Sequence, residues 1–224
     1  MRMLAVFEKS ERIRHIGHLD IQRSVQRGLR RSGLPVAYSN GFNPHILISF
    51  ASALSTGAAG KREIMDVTMA EPVTAEAFTA AMNGAMPPDL RVLEARELDD
   101  RHPAMMSLVR AARYDLKIDG EEAFRAIEGA IPAAMDKETL TATRKTKTKI
   151  TECNIRPLIH EIAAKDGHLT AVLTLNEQEA CKPGMLLEAL CREAGIEEIP
   201  RATVTRLGLM GENAEGKLVP LETV

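Results

Sequence analysis

Apolar and polar positions change period block by block along this chain. Met3 to Phe7 is a continuous apolar run, short enough for a buried strand. Glu8 to Gly17 is polar and reads as a loop. From His18 to Ser32 the apolar positions Ile21, Val25, Gly28 and Leu29 keep one face of a 3.6-residue period. Arg23, Arg27 and Arg30 fall on the opposite face, and Gly33 with Pro35 stops the helix. Pro35 to Tyr38 and Ile46 to Phe50 read as short strands around Asn40-Gly41, a turn pair that tolerates positive φ. Ile64 to Met69 alternates as a third strand. Thr74 suits the cap of a helix reaching Met82, with Phe78 buried and Gly84 and Pro87-Pro88 as the stop. Leu90 to Leu93 begins a further strand.

Asp99 to Arg110 has no period and holds Pro103, which marks a linker. The order of elements then recurs. Arg113 to Ile118 alternates as a strand, and Asp119-x-x-Glu122 opens a helix as a capping box. That helix buries Phe124, Ile127 and Ile131 and stops at Pro132. Leu140 to Ile150 alternates again, with Lys145, Lys147 and Lys149 on one face. Ile155 to Ala163 and Leu169 to Leu175 form a strand pair turned at Asp166-Gly167. Pro183 opens a helix that buries Leu187, Leu190, Cys191 and Ala194, with Gly195 past its end. Ala202 to Leu209 is the last strand. The expected fold class is α+β: two tandem ferredoxin-like (βαββαβ) units with antiparallel sheets. The expected division is residues 1–98, a linker at 99–110, residues 111–211, and a frayed C-terminal tail at 212–224.

Composition narrows the function. The 224 residues are 45% apolar and 27% charged, ordinary for globular domains. Met3 to Phe7 is too short for a signal peptide or membrane span, so no membrane is expected and the compartment is read as cytoplasmic. Cys153, Cys181 and Cys191 are odd in number and widely spaced, which argues against a disulfide framework and against a clustered iron–sulfur ligand set. Two Tyr, five Phe and no Trp argue against modules that stack bases on aromatic platforms. No dinucleotide fingerprint, phosphate-binding loop or nucleophile elbow occurs, and no cofactor is expected.

The net charge of −2 conceals a polarised chain. Residues 1–62 hold ten Lys/Arg against Glu8, Glu11 and Asp20, a balance of +7, so the remainder carries −9. Such a segment fits phosphates or an acidic partner. Three of the six histidines, His15, His18 and His45, fall in Lys9–Asp20 and Tyr38–His45. One chemical reading is metal-independent ribonuclease action. A histidine would be the acid/base, and Lys9, Arg12 or Arg14 would stabilise the phosphorane. A zinc site from His15, His18, Asp20 and His45 has suitable donors but no helical i, i+4 pair and no cysteine nearby, so no metal site is assigned. The local reading is that His18 and Asp20 open the helix, while Asn43 and His45 satisfy loop backbone groups.

The string Phe7-Glu8-Lys9-Ser10, Arg14-His15-Ile16-Gly17-His18-Leu19-Asp20 and Tyr38-Ser39-Asn40-Gly41-Phe42-Asn43-Pro44-His45 resembles the DUF2344 family, a radical-SAM-associated domain family of unknown function. Asn154-Ile155-Arg156-Pro157 resembles a further, weaker block, although the family is often acidic where this chain has Asn154. The resemblance implies a radical S-adenosylmethionine protein as partner and an RNA-linked role. It implies no established activity.

The reading that results is an accessory or RNA-binding module without catalysis of its own. Its binding residues would be Lys9, Arg12, Arg14, Arg23, Arg27, Arg30, Lys145, Lys147 and Lys149, with His15, His18, Asn43 and His45 as the floor of one site. The alternatives are the ribonuclease, with His15, His18 or His45 catalytic, and a protein-binding subunit of a radical-SAM enzyme.

Overall fold

The structure is a computed structural model that describes residues 1–145 and 149–224. It is a mixed α+β fold with a large, mostly antiparallel sheet and five α-helices among the described residues. The chain divides into two compact units. One comprises Met1–Val109 with Arg206–Val224, and the other Arg110–Thr205.

In the first unit, β1 (Arg2–Lys9) pairs antiparallel with both β3 (Ala58–Thr68) and β4 (Leu90–Leu98). β2 (Ile48–Phe50) pairs antiparallel with β3 on its other side. The order is therefore β4-β1-β3-β2. Helix α1 (His18–Arg31) buries Ile21, Val25, Gly28 and Leu29, the face that its period predicts. Its Arg23, Arg27 and Arg30 are exposed. Helix α2 (Ala75–Ala85) starts at Thr74, whose Oγ1 accepts from the Ala77 N–H at 3.2 Å, and buries Phe78 and Met82. One core joins these helices to Met3, Ala5 and Phe7 of β1 and to Met65 and Val67 of β3. Each Val, Leu, Ile, Phe or Met side chain in this core contributes roughly 1.5–3 kcal/mol by leaving water.

In the second unit, β5 (Ala111–Ile118) pairs antiparallel with β9 (His168–Thr174), which pairs with β8 (Ile159–Lys165). Asp166 (φ 51°) and Gly167 (φ 83°) make the expected turn between the last two. Helix α4 (Glu121–Asp136) follows β5, and α5 (Pro183–Glu193) follows β9, with Cys191 buried on it. The short α3 (Met105–Leu108) precedes β5, inside the span expected to be linker.

Several expectations are corrected. Pro35 to Tyr38 forms single bridges, Val36 to Met69 and Tyr38 to Ile46, rather than a strand. Leu140 to Ile150 is not one strand. β6 (Thr141–Lys145) and β7 (Ile150–Asn154) pair with each other, from Thr141 with Asn154 to Lys145 with Ile150. Alternation cannot reveal a reversal that conserves the two-residue period. Asp119 does not cap α4, because Gly120 at φ 95° takes the N-cap position and no side-chain cap forms. Pro132 lies inside α4, whose last turn is held by buried Ala134 and by Arg156 Nε donating to the Met135 carbonyl at 2.9 Å. Ile131 is only half-buried there. The tail does not fray: β10 (Ala202–Glu212) pairs with β11 (Leu218–Pro220), and Leu221 is fully buried. No described helix is long and apolar enough to cross a membrane.

Candidate nucleic-acid interface

Lys9, expected on the binding surface, is 2% exposed. Its ammonium donates to the carbonyls of Arg14 (2.9 Å), Ile16 (3.0 Å) and Ala58 (3.0 Å). These use all three of its hydrogens. Burial holds its pKa below the ordinary lysine value, opposed by Glu63 and reinforced by Arg206. Lys9 is thus an internal tie. It fastens the loop that carries Arg12, Arg14 and His15, helped by Ser10 Oγ donating to Asp89 at 2.6 Å and the Gly57 N–H donating to the Arg14 carbonyl at 2.8 Å.

On that fastened loop Arg12 is 85% exposed, 3.8 Å from Asp89, and Arg14 pairs with Glu11 at 3.3 Å. His15 is exposed. His18 opens α1, as the local reading has it, with Gly17 as the N-cap residue. Its ring meets Phe50 edge-on at 5.5 Å, and Phe50 meets Phe7 in the same way at 5.9 Å. Burial lowers the His18 pKa, with Arg206 and Lys9 adding and Glu63 opposing.

Beneath His18 lies a pair that sequence reasoning missed. Arg206 is 1% exposed and Glu63 4%. Arg206 Nε donates to Glu63 Oε1 at 2.8 Å and Nη2 donates to Oε2, a bidentate contact. Nη1 donates to Ser52 Oγ and to the Ala53 carbonyl, both at 3.2 Å. Gly60 makes room for Glu63, since a Cβ there would lie 2.6 Å from Glu63 Cγ. The cavity lined by Phe7, Lys9, His18, Ser52 and Glu63 measures about 10 Å³. That is room for one water at most, and no substrate enters it. No sequence signal links two residues 143 positions apart.

His45 sits elsewhere. The Ser39 N–H donates to the His45 carbonyl at 2.9 Å. Ser39 Oγ accepts from the His45 backbone N–H at 3.1 Å and lies 2.9 Å from its Nδ1. These bonds and the Tyr38–Ile46 bridge close a hairpin carrying exposed Asn40, Phe42 and Asn43. His45 precedes β2, whereas Phe50, the ring His18 touches, ends it. At about 3.3 Å per residue, five residues of extended chain set His45 up to roughly 17 Å from Phe50, the ring that His18 meets. The one floor expected for His15, His18, Asn43 and His45 is therefore split between two ends of the unit.

Helix α1 spans the gap. It starts near Lys9 and runs toward the other end of the sheet, where the Met69 N–H donates to the Met1 carbonyl and Val36 bridges Met69. Fourteen residues at 1.5 Å make it about 21 Å long. Its solvent face carries Arg23, paired with Asp20 at 2.9 Å, then Arg27 and Arg30. Among the described residues no carboxylate stands within ion-pair reach of Arg27 or Arg30. No Asp or Glu occurs from Ile21 to Arg62. Arginine presents fixed donors to phosphate oxygens, so this face suits a polyanion.

The second unit contributes less. Lys145 ends β6, Lys149 is exposed before β7, and Lys147 lies outside the described residues. Asn154 builds a turn. Its Oδ1 accepts from the N–H groups of Leu140 (2.9 Å) and Arg156 (3.0 Å), and its Nδ2 donates to the Glu138 carbonyl at 3.1 Å. An amide thus does the accepting that a carboxylate would do there. Burial pushes the Cys181 thiol up to about 12, which leaves it an inert buried group. Among the described residues no three His, Cys, Asp or Glu side chains are placed to hold a metal ion.

No protein with a curated description matches the chain. A family model described as "Uncharacterized protein conserved in bacteria (DUF2344)" matches residues 2–183. That span takes in the Lys9 loop, α1, the hairpin and Glu63, and ends before Arg206. With most of its length matched, the chain belongs to the DUF2344 family of uncharacterised bacterial proteins.

Proposed function

We propose that this protein is a non-catalytic RNA-binding module whose phosphate contacts come from the solvent face of α1. The observation that carries this is the exposed Arg23, Arg27 and Arg30 row within a stretch, Ile21 to Arg62, that has no acidic residue. Arg12, Arg14 and His15 extend the row at the Lys9 end. The radical-SAM protein that the family resemblance implies enters the proposal as the source of any chemistry on the bound RNA, in the cytoplasm. A ferredoxin-like reading of each unit is part of it. The β4-β1-β3-β2 order with α1 and α2 as crossovers supports that reading for the first unit. For the second, the β5-β9-β8 order with α4 and α5, and with β6 and β7 inserted, supports it.

The test is binding of a labelled single-stranded RNA followed by fluorescence anisotropy across a salt series. Each phosphate neutralised on a single strand adds about 0.7 to the slope of log affinity against log salt. Substituting Arg23, Arg27 and Arg30 together by Gln is expected to lower the slope by roughly 2 and to weaken binding at low salt. An unchanged slope, or no binding by the wild type, rejects the proposal.

A further inference from the structure

The chain has five Phe and two Tyr. Phe7, Phe50, Phe78, Phe124 and Tyr114 are buried. The two exposed aromatics, Tyr38 and Phe42, both belong to the hairpin, and the whole Phe42 side chain stands in solvent. Gly41, at φ 119°, lets the chain reverse just before it, in a region closed to side-chain-bearing residues. The stem below is clasped by the Ser39–His45 bonds and by the Tyr38–Ile46 bridge. A phenyl ring held out on a fastened stem has apolar faces that nothing in its own loop covers. Asn40, Asn43 and His45, close to it in the same hairpin, are all exposed, and their amide and imidazole groups match the donors and acceptors of a base edge.

We infer that Phe42 is a stacking anchor for one unpaired nucleobase, read along its edge by Asn40 and Asn43. This rests on the RNA-binding reading and specifies its ligand as single-stranded RNA. At the tip, residues 39–45 are otherwise Ser, Asn, Gly, Asn, Pro and His, so polar groups adjoin the ring in the chain, and the exposed aliphatic Leu47 lies lower, on the stem. The strand would lie along α1, whose last turn, with Arg30, is at the hairpin's end of the unit. A single ring at the tip limits the stack to one base, and paired bases hide their faces from it.

The experiment compares an unstructured oligouridylate with an RNA duplex of equal charge, by anisotropy, for the wild type and for Phe42→Ala. Base stacking of this kind is worth about tenfold to a hundredfold in affinity. Phe42→Ala is expected to lose that much for the oligouridylate, with duplex binding and the salt slope unchanged. Because the chain has no Trp, Phe42→Trp provides a single reporter whose emission should be quenched by the oligouridylate and not by the duplex. If Phe42→Ala binds both RNAs as the wild type does, or the Trp emission ignores a saturating oligouridylate, the anchor is overturned while the phosphate-binding reading stands. If the wild type binds neither RNA, both fall.

Discussion

Lys9, Glu63 and Arg206 place two cations and one anion at the Lys9 end of the first unit's core, and His18 covers them. A protonated His18 would add a third cation beside Lys9 and Arg206. Burial first, then Arg206 and Lys9, hold its pKa below the ordinary value, and Glu63 only partly opposes them. The unfolded chain therefore takes up a proton near pH 6.5 that the folded chain refuses. Stability is expected to fall as pH drops from 6.5 toward the lowered folded pKa. Urea unfolding midpoints at pH 7.5 and 5.5 test this: the fall should be smaller in His18→Gln than in the wild type. Equal falls would show that His18 does not carry the linkage. Residue identity marked Lys9 as a cation, but not that three carbonyls would enclose it. Charge is written in the sequence, whereas burial depends on what the fold brings overhead. The pairing of Glu63 with Arg206 is hidden in the sequence for the same reason.

Among the elements, α1 was legible because its buried positions Ile21, Val25, Gly28 and Leu29 keep one period, although Leu19 in its first turn is exposed. The Asp166-Gly167 turn was legible because positive φ demands particular residues. Where sequence reading failed, a local signal met a tertiary override. Pro132 weakens α4, but the packing of Ala134 and the Arg156 contact carry the helix past it. Gly28 holds a quieter lesson. The period makes it an ordinary position on the apolar face, yet a Cβ there would lie 2.7 Å from Met86 Cγ. Glycine therefore sets how closely α1 and the end of α2 approach. Gly28→Val is expected to destabilise by about 1–3 kcal/mol through overpacking. Adding Met86→Ala should return part of that loss, because it vacates the contested space. Urea denaturation of both variants measures the coupling, and strict additivity of the two substitutions would refute the contact.

At the scale of the molecule, the histidines that look like one cluster along the sequence are distributed by β2 and α1 to opposite ends of a unit. That unit is also discontinuous in sequence, because Arg206–Val224 belongs with Met1–Val109. The C-terminal piece brings Arg206 to Glu63, and fully buried Leu221 lies against Gly211, where an added Cβ would come within 3.0 Å of Leu221 Cδ1. A fragment ending at Val109 keeps the arginine face and the hairpin but takes from Glu63 its guanidinium partner. Removing one partner of such a pair costs about 3–5 kcal/mol. Losing Leu221 forgoes the burial of a side chain, worth roughly 1.5–3 kcal/mol. Against a typical total of about 5–15 kcal/mol, these losses remove most of the stability. Residues 1–109 alone are expected to show no cooperative thermal transition by circular dichroism. The same fragment joined through a flexible Gly/Ser linker to 206–224 should regain one. Equal midpoints for the two would mean that the buried pair and the docked tail are dispensable, and that the first unit folds on its helices and central strands alone.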